Sequence, residues 1–122
     1  MFVRGLDHFN IWSTDLPSTR HFYCDILGLR EGPRPPLTYD GIWLYCGEMP
    51  LVHVNVGQVD SPSSTGAFDH VAFQGNGDPH ALTECLSEEG IDHSSRVVSG
   101  GVRQVFCVDP NGVKVEFNFP PE

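Results

Sequence analysis

Two histidines occur at equivalent places of a sequence that is repeated within the chain. The segment LDHFNIW, residues 6–12, returns as FDHVAFQ, residues 68–74, so that His8 and His70 lie 62 residues apart and each follows an aspartate. An imidazole can bind a transition metal or act as a general base near neutral pH. A single histidine in a strand is usually structural, but two at equivalent positions of a repeat favour a shared chemical role.

The repeat continues into a helix and its two ends. In each copy four apolar residues recur with the spacing i, i+1, i+4 and i+5, which predicts a helix that buries one face. These residues are Phe22, Tyr23, Ile26 and Leu27 in the first copy and Ala81, Leu82, Cys85 and Leu86 in the second. Asp15 and Asp78 are placed to cap the helix starts, and Gly28 and Gly90 to end the helices in a left-handed conformation.

Each predicted helix is followed by three extended segments. They cover residues 29–32, 41–47 and 51–56 in the first copy and 93–98, 102–108 and 113–119 in the second. The segment DPNG predicts the turn between the last two. The sequence therefore predicts two tandem βαβββ modules within a single domain of 122 residues. Module 1 covers about residues 3–56, module 2 about residues 67–119, and a linker rich in Gly, Pro and Ser covers residues 57–66.

Composition restricts the classes of partner. The chain has 7 basic and 16 acidic residues and a formal net charge of −9, which disfavours a surface that binds nucleic-acid phosphates. The sequence contains no run of about eighteen apolar residues that could span a membrane, and the first residues lack the apolar core of a signal peptide. The four cysteines form no CxxC pair, which indicates reduced thiols. We therefore expect a cytoplasmic protein with a small-molecule substrate, no nucleic-acid partner and no membrane association.

Tandem modules of this kind, with Asp-His in the first strand of each, a glycine after each helix and DPNGVKVEF near the end, resemble the vicinal oxygen chelate superfamily. This superfamily includes glyoxalase I, extradiol ring-cleaving dioxygenases, fosfomycin-resistance enzymes, methylmalonyl-CoA epimerase and metal-free bleomycin-resistance proteins. The resemblance covers about residues 3–119. It implies an α+β fold in which the two modules form a cupped, barrel-like mixed sheet with the helices outside, and it implies a homodimer.

The resemblance also implies a metal site whose ligands come from the first and last strands of each module. His8 and His70 match the first-strand ligands, and Glu116 in VKVEFNF matches the last-strand ligand of module 2. The remaining place falls in LVHVNV, where glyoxalase I has a carboxylate and this chain has His53, as a fourth ligand or a base. Two imidazoles and a carboxylate suit one Fe, Mn, Ni, Co or Zn ion and leave coordination positions open.

The function that this resemblance implies is a divalent-metal-dependent enzyme of glyoxalase type. Such an enzyme is a lyase or isomerase in which the metal stabilises an enolate of a small oxygen-chelating substrate. Glu116 or His53 would move the proton. The alternative is an Fe(II) extradiol ring-cleaving dioxygenase, and a further alternative is a non-catalytic small-molecule binding or resistance protein.

Five further residues are candidates to contact the substrate. They are Asn10, Asn55, Arg34, Tyr39 and Tyr45. Strand alternation places the two asparagines on the faces that carry His8 and His53. Arg34 and Tyr39 lie in an insertion at residues 32–41 that module 2 lacks, where the arginine could meet a substrate carboxylate. In the dioxygenase alternative, either tyrosine could act beside the metal.

Overall fold

Each half of the chain contains a four-stranded mixed sheet and a helix. The structure is a computed structural model that describes residues 5–58 and 68–122. The chain divides into two compact units, residues 1–63 and 64–122. Of the predicted linker only residues 57 and 58 are described, and the predicted module boundaries at residues 3 and 67 lie outside the described residues.

The described residues of the first unit form four strands and one helix. They are β1 (Phe9–Ser13), α1 (Leu16–Arg20 in α geometry, continued by His21–Ile26 in π geometry), β2 (Arg30–Gly32), β3 (Gly41–Cys46) and β4 (Met49–Val56). The strand order is β1-β4-β3-β2, in which β1 runs parallel to β4 and the other pairs are antiparallel. Helix α1 carries the chain from one edge of the sheet to the other, as a βαβββ module requires.

The second unit repeats this arrangement. It contains β5 (Val71–Gln74), α2 (Pro79–Glu88), β6 (His93–Val97), a 3₁₀ turn (Ser99–Gly101), β7 (Arg103–Val108) and β8 (Lys114–Phe119). The strand order is β5-β8-β7-β6, and β5 runs parallel to β8. The prediction of an α+β fold with two βαβββ modules is therefore confirmed.

In the first unit, one face of the sheet packs against α1. The buried side chains of this core are Ile11, Ile42, Leu44, Val52 and Val54 from the strands and Phe22 and Tyr23 from the helix. Ser13 and Thr19 are also buried, and a hydrogen bond of 2.8 Å between their hydroxyl groups joins β1 to α1. Because side chains alternate across a strand, Asn10 and His53 project from the opposite face.

In the second unit, the buried face has the same construction. Its side chains are Val71, Val105, Cys107, Val115, Phe117 and Phe119 from the strands and Leu86 from α2. Ala81, which was expected on the buried face of this helix, is exposed. Leu86 is fully buried, and Leu82 and Cys85 are half-buried, so the buried face of the helix runs along positions 82, 85 and 86 and leaves position 81 at its side. Glu116 projects from the face opposite the helix.

The predicted capping and turn residues have the expected conformations. Asp15 and Asp78 accept hydrogen bonds from backbone N–H groups at the helix starts, and Gly28 and Gly90 have φ of 87° and 70° at the helix ends. Asp109 accepts hydrogen bonds from the backbone nitrogens of residues 111 and 113 at 2.7 and 2.8 Å, which closes the turn between β7 and β8. These local predictions are confirmed because each depends on residues adjacent in sequence.

The first strand of each module begins later than predicted. Strands β1 and β5 start at Phe9 and Val71, so that His8 and His70 lie immediately before them rather than within them. In the first unit, continuing the register of β1 and β4 would bring Asp7 opposite Pro50, which has no N–H to donate to a ladder. In the second unit, Val71 pairs with Val115, and β8 itself begins only one residue earlier, at Lys114. The strand that pairs with β5 is therefore too short to extend the pairing back to Asp69.

Two expectations from composition can be compared with the structure. No helix within residues 5–58 and 68–122 is long and apolar enough to cross a membrane. All four cysteines lie in these ranges and are free thiols.

Candidate functional site

In both units an aspartate holds the histidine that follows it. Asp7 Oδ1 lies 2.6 Å from Nδ1 of His8, and Asp69 Oδ2 lies 2.8 Å from Nδ1 of His70. An ionised carboxylate can only accept a hydrogen bond, so Nδ1 of each imidazole is the donor. The neutral ring then keeps its lone pair on Nε2, the arrangement found in metal-ligating histidines. The pKa of Asp69 is lowered, first by this hydrogen bond from His70 and then by the charge of Lys114.

The free nitrogen of His70 faces a carboxylate. Its Nε2 lies 3.5 Å from Oε1 of Glu116, whose side chain is only 13% exposed. Two ligands about 2.1 Å from one tetrahedral ion are separated by about 3.4 Å, so this pair has a spacing that suits a shared metal. The other carboxylate oxygen, Oε2, accepts a hydrogen bond of 2.7 Å from Nδ2 of Asn118. The carboxylate is therefore held with one oxygen directed at His70.

A pocket of about 490 Å³ opens beside this pair in the second unit. The residues that line it include Asp69, His70, Arg96, Phe106, Lys114 and Glu116. Arg96 and Phe106 were not among the predicted site residues. The alternation in RVV and VRQVFCV could have indicated their faces, but only the register of β6, β7 and β8 brings them beside Glu116.

The first unit contains a stack of three rings. The rings of His8 and His53 are stacked with centroids 3.7 Å apart, and those of Trp43 and His53 with centroids 3.9 Å apart. Nε2 of His53 donates a hydrogen bond of 3.1 Å to the carbonyl oxygen of Pro50, so its lone pair is on Nδ1. Burial, followed by the charge of His8, lowers the pKa of His53.

This stack bears on the predicted role of His53 as a metal ligand. The planes of the His8 and His53 rings are inclined by only 12°. Because an imidazole lone pair lies in the plane of its ring, two nearly parallel stacked rings do not direct their lone pairs at one point. No group within residues 5–58 and 68–122 forms a hydrogen bond with Nε2 of His8, which leaves this nitrogen available to a metal. The arrangement of His53 suits a base better than a second ligand beside His8.

The two predicted asparagines lie on the face that carries the ring stack. Nδ2 of Asn10 donates hydrogen bonds to the carbonyl oxygens of Ile11 at 3.2 Å and His53 at 3.0 Å, so its amide bridges β1 and β4. Asn55 is half-buried two residues beyond His53 on β4. Asn10 therefore supports the backbone of His53.

The predicted residues of the insertion contact one another. Arg34 donates a hydrogen bond of 2.6 Å to the backbone oxygen of Tyr39, and its guanidinium lies 5.4 Å from the centre of the Tyr39 ring. The hydroxyl group of Tyr45 donates to the backbone oxygen of Pro33. These contacts tie residues 33–39 together and to β3, so the three side chains shape the loop.

The four predicted ligands fall into two pairs. His8 and His53 belong to the first unit, and His70 and Glu116 to the second. Within the described parts of the chain, no group of three or more His, Cys, Asp or Glu side chains is arranged to hold a metal ion. The second pair has the spacing of joint ligands, and the first pair offers one free nitrogen on His8.

Comparison with known proteins identifies the family. A model of the Glyoxalase/Bleomycin resistance protein/Dioxygenase superfamily matches residues 5–117. No curated protein matches the chain. A solved structure of a protein from Bacillus anthracis, assigned to the glyoxalase family, is 24% identical with a TM-score of 0.76, and the match covers 98% of each chain.

Two other solved structures share the fold. Lactoylglutathione lyase from Agrobacterium tumefaciens is 16% identical, with a TM-score of 0.71 over 98% of this chain and 96% of that one. TnmS3, an antibiotic binding protein from Streptomyces sp. CB03234, is 16% identical, with a TM-score of 0.72 over 98% of each chain. Since the family model spans nearly the whole chain and the fold agrees, this chain belongs to the glyoxalase, bleomycin resistance protein and dioxygenase superfamily.

Proposed function

We propose that this protein is a divalent-metal-dependent enzyme of glyoxalase type, a lyase or isomerase that acts on a small substrate with two adjacent oxygens. The repeated Asp-His pair carries the proposal. In each unit a carboxylate occupies Nδ1 of the histidine and leaves Nε2 free. In the second unit that free nitrogen lies 3.5 Å from Glu116. A histidine that ligates a metal characteristically has its other nitrogen bonded in this way.

The proposed ligands are His8, His70 and Glu116. Two imidazole nitrogens and one carboxylate oxygen form a donor set that suits Fe, Mn, Ni, Co or Zn. When bound, such a cation supplies positive charge that stabilises the negative charge developing on a substrate oxygen. The hydrogen bond from Asn118 holds the Glu116 carboxylate so that Oε1 remains directed towards His70.

His53 is the proposed base. Its hydrogen is on Nε2, which donates to Pro50, so Nδ1 can accept a proton from a substrate carbon next to a carbonyl group. The ring is held between those of His8 and Trp43, which fixes the direction of Nδ1. Glu116 is the second candidate for this role if Oε1 takes up the proton instead.

Metal content and turnover test the proposal together. The metal-free chain is reconstituted under anaerobic conditions with each of the five metals in turn, and its metal content is measured. The preparations are then assayed with the adduct of methylglyoxal and a thiol, and with catechols in the presence of oxygen. We expect one metal per chain and turnover of the thiol adduct. Oxygen consumption with a catechol, and only with Fe(II), would instead support the dioxygenase alternative.

The ligand assignment is tested with matched variants. His70→Ala and Glu116→Gln should lower metal affinity sharply, because a site with three protein ligands has little redundancy. His80→Ala is the control, since His80 is an exposed histidine of α2 in the same unit. Metal content like that of the unmodified protein in His70→Ala would refute the assignment.

A binding protein without turnover is the second candidate function. Its support is the fold shared with the antibiotic binding protein TnmS3, and the absence of a cluster of three ligating side chains among the described residues. The flat faces of the ring stack in the first unit would suit an aromatic ligand. A protein that binds no metal, and from which a bound ligand is recovered unchanged, would establish this function in place of the enzyme.

A further inference from the structure

Arg96 lies at one end of a continuous line of hydrogen bonds across the second sheet. Its Nε donates to Oε1 of Gln104 at 2.8 Å. Nε2 of Gln104 donates to Oδ1 of Asn118 at 3.0 Å, and Nδ2 of Asn118 donates to Oε2 of Glu116 at 2.7 Å. The four side chains belong to three neighbouring strands and project from one face, because Arg96 pairs with Gln104 and Gln104 with Asn118 in the sheet.

The ends of this line fix the orientation of both amides. A guanidinium can only donate and a carboxylate can only accept, so Gln104 must present its oxygen to Arg96 and Asn118 its nitrogen to Glu116. Reversing either amide would bring two donors or two acceptors together. The line therefore holds the guanidinium of Arg96 in a defined position relative to the carboxylate of Glu116.

The guanidinium of Arg96 has N–H groups that are available to donate to a ligand. Its guanidinium lies 5.2 Å from the centre of the Phe106 ring, in a cation–π contact, and its Nε donates to Gln104. Lys114, which also lines the pocket, lies 3.5 Å from Asp69. Arg96, by contrast, forms no ion pair with a carboxylate in residues 5–58 or 68–122, and its Nη groups have no acceptor there.

We propose that Arg96 binds the carboxylate of a small organic anion in this pocket, with the apolar body of the ligand beside Phe106 and Val108. A guanidinium can form two parallel hydrogen bonds to a carboxylate, which gives direction as well as charge. The pocket volume of about 490 Å³ suits a small molecule. Val108 is 52% exposed and offers apolar surface on the same side as Glu116.

This inference rests on the proposed function, in which the reacting end of the substrate lies at the metal ligands, because one of these ligands, Glu116, lines the same pocket. The substrate class is then a small carboxylic acid whose reactive oxygens lie away from its carboxylate. The contact between Arg96 and the anion needs no metal. It is therefore tested on metal-free protein, and a failure of metal binding leaves its outcome unaffected.

The test compares two ligands of the same shape that differ in charge. Metal-free protein, freed of chelator, is titrated with benzoate and with benzamide, and binding is followed by ¹H–¹⁵N spectra that include the Arg96 Nε signal. We expect benzoate to bind about tenfold more tightly, as for a charge-assisted pair of hydrogen bonds. The matched variants are Arg96→Gln and Arg103→Gln. Arg103 begins β7 and projects from the opposite face, where it donates to Ser95 at 3.3 Å.

Arg96→Gln should remove the preference for benzoate, and Arg103→Gln should keep it. Arg96→Lys retains the charge but cannot form the two parallel bonds, so it should keep only part of the preference. The backbone spectra of each variant verify that the fold is unchanged. Equal affinities for the two ligands, no binding of benzoate, or a preference that survives in Arg96→Gln would each overturn the proposal.

Discussion

Asp69 accepts a hydrogen bond of 2.8 Å from Nδ1 of His70, and this determines which ring nitrogen is available to a ligand. The same relationship joins Asp7 to His8 at 2.6 Å. The aspartate and the histidine of each pair are adjacent in sequence, so the hydrogen bond between them does not depend on contacts with distant strands. The repeated Asp-His dipeptide is thus explained as an imidazole together with the group that orients it.

Replacement of Asp69 by alanine should weaken metal binding about 10- to 100-fold, because the imidazole loses the acceptor that orients it. In metal-free protein, the ¹⁵N shifts of His70 should move towards the tautomer with hydrogen on Nε2. Asp92→Ala is a matched control, since Asp92 lines the same pocket and the change in charge is the same. An unchanged tautomer in Asp69→Ala would contradict the orienting role.

Replacement of His53 by glutamine should keep the fold and the metal while lowering turnover by about 10²- to 10⁴-fold, as expected for loss of a general base. The measurements are metal content and kcat on the same preparation. Loss of the metal would instead make His53 a ligand. Unchanged metal content and unchanged kcat would leave it only a structural part of the ring stack with His8 and Trp43.

We expect the protein to be a homodimer in solution. Among the described strands, β1 and β2 form the edges of one sheet and β5 and β6 those of the other, and edge strands in general favour association. Leu6 and Phe68, at equivalent places of the repeat, are 63% and 61% exposed, and Trp12 is 46% exposed, so apolar surface is available for an interface. Light scattering at micromolar concentration should give twice the mass of the chain, and a monomer mass would defeat this prediction.

A dimer also allows a complementation test. If the two subunits exchange modules, a mixture of the inactive variants His8→Ala and Glu116→Ala regains one intact site in each heterodimer. If each chain completes its own site, the mixture stays inactive. Metal content and turnover of the mixed protein, measured after unfolding and refolding together, decide between the two.

Cys107 should make stability depend on pH in the alkaline range. Burial, with the charge of Asp109 adding to it, raises the pKa of this thiol to about 11 from an ordinary value of 9.0. The folded state therefore favours the neutral thiol, and its contribution to stability is complete below pH 9 and declines as pH rises towards 11. At pH 10 the loss is about 1 kcal/mol.

Urea unfolding at pH 8 and pH 10 measures this effect. The free energy of unfolding should fall more in the unmodified protein than in Cys107→Ala, whereas Cys46→Ala, at an exposed position, should behave like the unmodified protein. An equal fall in all three proteins would show that Cys107 does not contribute. Because the free energy of unfolding of each protein is compared between the two pH values, the destabilisation caused by the cavity in Cys107→Ala cancels.

Most of the secondary structure could be predicted because its causes are local. In LVHVNV, Val52 and Val54 are buried and His53 projects from the opposite face, as the alternation of side chains along a strand requires. The exposed Ala81 was mispredicted because spacing gives the width of a helix face but not its rotation against the sheet. That rotation is set by packing against strands far away in sequence.

The sequence by itself determined the two modules, the capping and turn residues, and the Asp-His pairs, all of which involve residues close along the chain. Only the tertiary structure decided which distant side chains meet. Asn10 reaches the backbone of a residue 43 positions away, and Arg96 is linked to Glu116 through the register of three strands. A shift of one residue in either pairing would turn these side chains to the other face, and no local pattern specifies that register.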